Sequence, residues 1–203
     1  MMLKSTLKIK NPTKGSGFLE GFLAKKRAEK ATSLIPKSYT RGRILDVGCG
    51  QYPYFLLNIK FTQKYGIDPS VRQELVDEKI ILNKTPIGTH KFPYIDNFFD
   101  VITMLAVFEH IDKDKLNFAL GEILRVLKHE GILAITTPSP WSDKLLHQMA
   151  KFGFISSEEI HDHKSHYDMN TIVDIIKQAG FDEKNIKSGY FELGFNMWFT
   201  AKK

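Results

Sequence analysis

The chain has 203 residues, 42% of them hydrophobic, and carries a formal net charge of +6. This size and apolar content predict one globular domain with a substantial core. Its lysines are scattered and form no block interleaved with aromatic residues, so nucleic-acid binding is disfavoured and a solvated lysine surface explains the charge. A single cysteine excludes an internal disulfide framework, and no apolar segment approaches membrane-spanning length, so we expect a soluble, cytoplasmic protein.

The N-terminal region divides into two parts. Residues 1–15 are polar and are predicted to form a flexible arm. From Gly17 onward, apolar residues recur at helical spacing with lysines between them, and Pro36 ends the pattern. These features predict an amphipathic helix, and its apolar stripe favours ordinary core packing over ligand contact.

The core begins with a short apolar strand that ends in a glycine turn. Residues 44–50 place the carboxylate of Asp46 two residues before Gly48, and Gly50 follows. Glycine allows the backbone to approach a ligand closely, and the next helix points its N-terminus at the same place. Asp46 disfavours a pyrophosphate and favours a cationic or hydroxyl-rich ligand. Pro53 replaces the third glycine of a dinucleotide fingerprint, which argues against a nicotinamide-dependent oxidoreductase.

A second strand also ends in an acid. Residues 64–67 are followed by Asp68 and by Pro69, which stops strand pairing. An acid at this position of a nucleotide-binding α/β unit commonly accepts hydrogen bonds from both ribose hydroxyls. The alternative is that Asp68 caps a helix that begins near Ser70.

Strands and helices then alternate, which predicts right-handed crossovers and a mostly parallel sheet. The predicted core elements, in chain order, are strand 43–47, helix 51–60, strand 64–67, helix 70–76, strand 79–83, strand 100–105, helix 112–127 and strand 131–137. A helix over 171–179, closed by Gly180, precedes strands 186–192 and 195–201, which are joined by a tight turn.

Four segments resemble motifs of the class I S-adenosylmethionine-dependent methyltransferases, in the right order and spacing. They are residues 44–50, 65–69, 98–111 and 127–138. The resemblance implies a doubly wound, mostly parallel seven-stranded α/β sheet with a C-terminal antiparallel hairpin, in a single methyltransferase domain over residues 16–203. The nearest sub-group contains small methyltransferases that act on diverse small molecules, lipids and glycans.

The resemblance also implies S-adenosyl-L-methionine as cofactor and assigns residues to it. Asp46 would face the positively charged methionyl end and Asp68 would hold the ribose, while Ile67 and Pro69 would flank the adenine. Backbone carbonyls at the end of the fourth strand would receive the methionyl ammonium, and Cys49 is interpreted as a packing residue in the turn. The implied cofactor-binding residues are Asp46, Gly48, Cys49, Gly50, Ile67, Asp68, Pro69, Leu105 and Ala106.

One part of the family pattern is missing. Residues 92–94 match the segment that follows the adenine-side acid, but the acidic position itself falls at residues 88–90, which contain no acid. We therefore expect adenine recognition to rest on backbone groups and assign no side chain to it.

Candidates for acceptor chemistry follow the fourth strand. Glu109 and His110 lie where ligands bind at the carboxyl edge of open α/β sheets. Either could position or deprotonate an acceptor hydroxyl. The alternative is that both satisfy local backbone groups and cap the next helix.

A second concentration of reactive groups spans residues 158–167. His163, His166 and Tyr167 match a stretch of the resembled sub-group, which favours a substrate-side role for Tyr167 and a catalytic role for the histidines. A structural role and a metal site are the alternatives, but the spacing fits no tight metal template, and we assign no metal.

The resemblance implies a lid and leaves the acceptor open. The helix over 16–36 and an insertion over 139–166 would cover the acceptor, which we expect to be a small molecule, a glycan or a lipid-linked compound. The alternative is a non-catalytic S-adenosylmethionine-binding regulator or partner subunit. Fold does not determine the acceptor, and the sequence does not determine the oligomeric state.

Overall fold

A computed structural model describes residues 18–73, 79–142 and 167–203, with side chains from residue 21 onward. The described strands form one sheet in the order β3-β2-β1-β4-β5-β7-β6. They are β1 (Arg43–Val47), β2 (Gln63–Ile67), β3 (Ile80–Asn83), β4 (Phe99–Leu105), β5 (Leu127–Pro138), β6 (Ile186–Phe191) and β7 (Asn196–Lys202). β7 runs antiparallel to β5 and β6, and the other pairs are parallel. The predicted fold is confirmed, while the predicted arm over 1–15 lies outside the described residues.

The described α-helices are α1 (Phe18–Leu34), α2 (Tyr54–Asn58), α3 (Lys113–Val126) and α4 (Met169–Gln178). The side chain of Asp168 caps α4 by accepting a hydrogen bond from the Thr171 amide at 2.8 Å. Gly180 follows this helix with a φ of +108°, a conformation that favours glycine. The predicted helix over 70–76 does not begin near Ser70, since residues 70–72 are not helical and residues 74–78 lie outside the described part.

Alternate strand residues point to opposite faces of the sheet, and different helices cover the two faces. We call the face covered by α3 and α4 the α3 face. Its strand residues include Leu45, Val47, Ile102, Met104, Leu133, Ile135, Met197 and Phe199. We call the other face, covered by α1 and α2, the α1 face. Its core includes Ile44 and Val101 with Ala28, Ala31 and Ile35 of α1, so the N-terminal helix packs on the core as expected.

The sheet has one edge at which the candidate site residues meet. The parallel strands β1, β2, β4 and β5 end there, at the carboxyl edge. β7 begins at this edge with Asn196 opposite Pro138, and β6 ends there with Phe191 opposite Asn196. Residues 192–195, between β6 and β7, therefore lie at the same edge as the turn after β1.

Candidate cofactor and acceptor site

The turn after β1 requires glycine at Gly48. This residue has a φ of +79°, and a Cβ atom there would lie 2.3 Å from a methyl group of Val107. Its amide donates a hydrogen bond to the carbonyl of Ile67 at 2.8 Å. The backbone is thus held in a turn that no larger residue could adopt without moving the segment after β4.

Asp46 is a buried acid with one hydroxyl partner. It is 4% exposed, and Thr103 on β4 donates a hydrogen bond to its Oδ1 at 2.6 Å. Burial raises the pKa of Asp46 to about 7; the Thr103 hydrogen bond opposes this shift, and the negative charge of Asp68 adds to it. A buried carboxyl group of this kind gains most from a cationic ligand, which would favour its ionised form.

Asp68 connects the end of β2 to the glycine turn. Its Oδ2 accepts a hydrogen bond from the Gly50 amide at 3.0 Å. Its Oδ1 accepts from the amide and the hydroxyl of Ser70 at 2.7 Å and 2.5 Å. The contact with Ser70 forms a local turn rather than a helix cap. Each carboxylate oxygen has two lone pairs, so Oδ2 keeps capacity for a ribose hydroxyl.

Two residues assigned to the cofactor are core residues in the structure. Cys49 is buried in the α1-face core, and burial raises the pKa of its thiol, as expected of a packing residue. The side chain of Ile67 is fully buried in the α3-face core, as strand alternation directs. Its contact with adenine, implied by the resemblance, stays a prediction. Pro69 is exposed and stays a candidate.

The chain turns sharply after β4. Ala106 has a φ of +55°, and its amide donates to the carbonyl of Thr136 at 2.8 Å. This turn places Val107 over Gly48, so the segment after β4 and the turn after β1 face each other. Leu105 and Ala106 therefore lie beside the glycine turn, where the sequence predicts carbonyl contacts to the cofactor.

The acceptor-side candidates have different environments. Glu109 is 5% exposed, and Thr137 donates a hydrogen bond to its Oε2 at 3.0 Å. His110 is exposed at the end of a 3₁₀ turn. The ring of Tyr167 packs edge-to-face on Phe108, with centroids 5.6 Å apart. His163, His166 and residues 143–166 of the predicted insertion lie outside the described residues.

Asn83 is a polar residue at a strand end that the sequence analysis did not single out. Asn83 ends β3 next to Asp68, and its amide nitrogen donates to the hydroxyl of Tyr94 at 3.0 Å. Gly88, at the expected acidic position, instead lies against Lys115 of α3. Asn83 lies opposite Ile67 in the β2–β3 pair and shares its face of the sheet. Within the described residues, no group of three or more His, Cys, Asp or Glu side chains could hold a metal ion.

The comparison with protein families decides the classification. A family model described as a methyltransferase domain matches residues 18–184, most of the chain. The chain belongs to this methyltransferase-domain family. Membership confirms the resemblance and S-adenosylmethionine as the cofactor of the domain. Among the described residues, no helix combines the length and apolarity needed to cross a bilayer.

Relatives of the methyltransferase domain support the fold. An uncharacterised protein of Methanocaldococcus jannaschii is 34% identical over 110 residues, covering 51% of this chain and 45% of the relative, so less than half of that relative is matched. A Thermotoga maritima S-adenosylmethionine-dependent methyltransferase, described as a possible histamine N-methyltransferase, has a TM-score of 0.67 and 22% identity, covering 92% of each chain. Phosphoethanolamine N-methyltransferase 2 of Haemonchus contortus, solved with S-adenosyl-L-methionine, has a TM-score of 0.62 and 16% identity, covering 88% of this chain and 52% of that chain.

Proposed function

We propose that this protein transfers the methyl group of S-adenosylmethionine to a small-molecule, glycan or lipid-linked acceptor. The observation that carries the proposal is the pair of acids at the ends of β1 and β2, joined through one glycine turn. Asp68 accepts a hydrogen bond from Gly50, and its charge contributes to the raised pKa of Asp46. Two acids at adjacent strand ends fit a ligand that is cationic at one end and carries ribose hydroxyls.

The cofactor supplies an electrophilic methyl group on a sulfonium, and the chain supplies binding and orientation. Asp46 balances the positive charge of the methionyl end, and Asp68 accepts from the ribose hydroxyls. The glycine turn brings backbone close to the ligand, and carbonyls of Leu105 and Ala106 receive the ammonium group. Holding donor and acceptor in line supplies most of the rate enhancement expected of a direct displacement.

An acceptor hydroxyl or N–H group loses its proton when the oxygen or nitrogen atom gains a methyl group. His110, His163 and His166 are the candidates for taking that proton, because imidazole titrates in the useful range. Glu109 and Tyr167 are proposed to lie on the substrate side of the site. The burial of Glu109 and its hydrogen bond with Thr137 suit it to holding the segment that carries His110.

Calorimetric titration tests the cofactor site first. Wild-type protein should bind S-adenosylmethionine and S-adenosylhomocysteine, whereas Asp46→Asn and Asp68→Asn should weaken binding by roughly tenfold or more, as expected for loss of a charged hydrogen-bond acceptor. Asp174→Asn, an exposed acid on α4, is the matched control and should bind like the wild type. Absence of binding to the wild type would overturn the proposal.

Turnover is tested separately. Formation of S-adenosylhomocysteine should rise when a matching acceptor is added to the protein and its cofactor. Replacement of His163 and His166 by alanine should lower that rate while cofactor affinity stays intact. Tight cofactor binding with no turnover on sugars, amines or lipid-linked acceptors would favour the non-catalytic alternative.

A further inference from the structure

Buried polar atoms without hydrogen-bond partners gather in one corner of the molecule. Six such side-chain atoms occur within the described residues, and five of them belong to a group that we call the polar cluster. The members of the polar cluster are Arg27, Thr136, Ser139, Glu192 and Asn196. Native proteins keep few orphaned buried groups, and each one costs free energy, so their concentration in one place needs an explanation.

Strand register places the polar cluster on the α1 face at the carboxyl edge. Lys30 of α1 lies 4.6 Å from the Trp198 ring, so Trp198 points to the α1 face. Thr136 is directly opposite Trp198 in the β5–β7 pair and shares its face. Asn196 lies two residues before Trp198 on the same strand and also shares that face.

The connection between β6 and β7 (residues 192–195), which we call the hairpin tip, and the first residue of β7 supply two more members. The amide nitrogen of Asn196 donates to Oε2 of Glu192 at 2.5 Å, while Oε1 of Glu192 and Oδ1 of Asn196 have no partner. Ser139 follows β5 and is tied to the tip, because its amide donates to the carbonyl of Phe195 at 2.9 Å. Oxygen acceptors from three chain positions therefore meet beside β7.

Helix α1 brings Arg27 over this corner. Lys30 lies near Trp198 and Phe191 at the carboxyl edge, whereas Tyr39, beyond the end of α1, donates to the carbonyl of Glu130 near the opposite end of β5. The helix therefore runs away from the carboxyl edge. Arg27 is one helical turn before Lys30 and Ala31 and lies on the side of α1 that meets the sheet.

The polar cluster shares its face with the cofactor acid. Asp46 pairs with Thr103 in register, and Thr103 pairs with Ala134 on β5, two residues before Thr136. Two strand spacings separate β1 from β5, or about 10 Å. We propose, on the basis of the methyltransferase function proposed above, that the polar cluster is the acceptor subsite and that it binds a neutral, hydroxyl-rich compound of the sugar or polyol class.

The chemistry of the cluster favours this ligand class. Glu192 and Asn196 accept hydrogen bonds, Thr136 and Ser139 can donate or accept, and Arg27 donates. Adjacent hydroxyls on one ligand can donate hydrogen bonds to the acceptor groups, accept one from Arg27, and do either with Thr136 and Ser139. The positive charges of Arg27 and Lys30 oppose a cationic amine, and the carboxylate of Glu192 opposes an anion.

Aromatic rings line the same corner. Trp141 is 45% exposed, and its ring centroid lies 4.4 Å from that of Phe195 at the hairpin tip. Carboxylate, amide and hydroxyl groups beside an exposed aromatic face suit a ligand with polar edges and apolar C–H faces. The chain has two tryptophans, Trp141 and Trp198, and both adjoin the polar cluster, so their fluorescence reports on binding here.

The test is a fluorescence titration with methyl hexosides as probes and butylamine as the amine arm, in the presence of S-adenosylhomocysteine. A saturable change with at least one hexoside, and none with butylamine, is the expected result. Thr136→Val and Glu192→Gln should weaken hexoside binding by roughly tenfold, as expected when a paired ligand hydroxyl is left without its partner. Thr200→Val, the same change farther along the same face of β7, should stay within about twofold.

A second readout separates ligand binding from a structural role. Thr136→Val replaces an orphaned hydroxyl by a methyl group, so the melting temperature should stay unchanged or rise while hexoside binding weakens. The proposal is overturned if no hexoside saturates the signal, if butylamine does, or if the variants bind hexosides like the wild type. Calorimetry with S-adenosylhomocysteine tests the cofactor site independently. Failure of the acceptor-subsite proposal can therefore be distinguished from failure of the proposed methyltransferase function.

Discussion

Two neighbouring threonines near the carboxyl end of β5 show how the two faces of the sheet differ. Thr137 points to the α3 face and donates a hydrogen bond to buried Glu109. Thr136 points to the α1 face, is equally buried, and its hydroxyl has no partner within the described residues. Strand alternation therefore places one threonine beside a hydrogen-bond partner and its neighbour at a buried position where the hydroxyl has none.

On the α3 face the largest loss of stability is expected at Phe108. This ring is fully buried and packs against Tyr167. Phe108→Ala should lower the free energy of unfolding by about 3–5 kcal/mol, through lost burial and the cavity left behind. Urea denaturation followed by circular dichroism measures the loss.

Leu193 provides the control for this effect. It is 93% exposed at the hairpin tip, so Leu193→Ala should change the free energy of unfolding by no more than about 0.5 kcal/mol. Equal losses for the two variants would contradict the description of the α3 face as a packed core.

The glycine turn is the next most sensitive position. Gly48→Ala should destabilise the protein by roughly 2–4 kcal/mol, since the added Cβ meets Val107 and the backbone is left-handed. It should also weaken binding of S-adenosylhomocysteine, measured by calorimetry. The double variant Gly48→Ala with Val107→Ala should recover part of the stability, and strict additivity would show that the two side chains do not clash.

The acids and glycines at the ends of β1 and β2 could be predicted from the sequence because each group is contiguous in the chain. The apolar strand, Asp46 and the two glycines are contiguous, and Asp68 follows the same pattern in the next strand. The burial of the Ile67 side chain depends on the face of the strand that it occupies, which the resemblance did not consider. The length of α2 was also overpredicted, since Pro53 delays the helix and it ends at Asn58.

The polar cluster could not be predicted because no single segment carries it. Arg27, Thr136 and Asn196 are distant in sequence, and each is an ordinary residue in its own segment. Only the antiparallel register of β5 with β7, and the path of α1 across them, brings them together. A hydroxyl without a partner is visible only once the neighbours are known.

The comparison of the two threonines can be tested directly. Thr137→Val should lower the free energy of unfolding by about 1.5–3 kcal/mol, because buried Glu109 loses the hydroxyl that hydrogen-bonds its carboxylate. Thermal denaturation of this variant beside Thr136→Val measures the contrast. Similar losses for both would mean that the Thr136 hydroxyl has a partner after all.

A pH dependence sharpens the contrast within the α1 face, where Asp46 has a hydroxyl partner but resists ionisation. Its pKa is raised to about 7 from the ordinary value of 3.8. Between these pH values the folded protein holds a proton that the unfolded chain has released, so the contribution of Asp46 to stability falls as pH rises from about 4 to about 7. The slope is at most about 1.4 kcal/mol per pH unit, the limit for one proton.

A bound cation favours the ionised form of Asp46, so affinity for S-adenosylmethionine should instead rise over pH 6 to 8. Asp46→Asn should remove the contribution of this one proton, so its slopes in unfolding and calorimetry should differ from those of the wild type. Slopes equal to those of the wild type would assign the titration to another group.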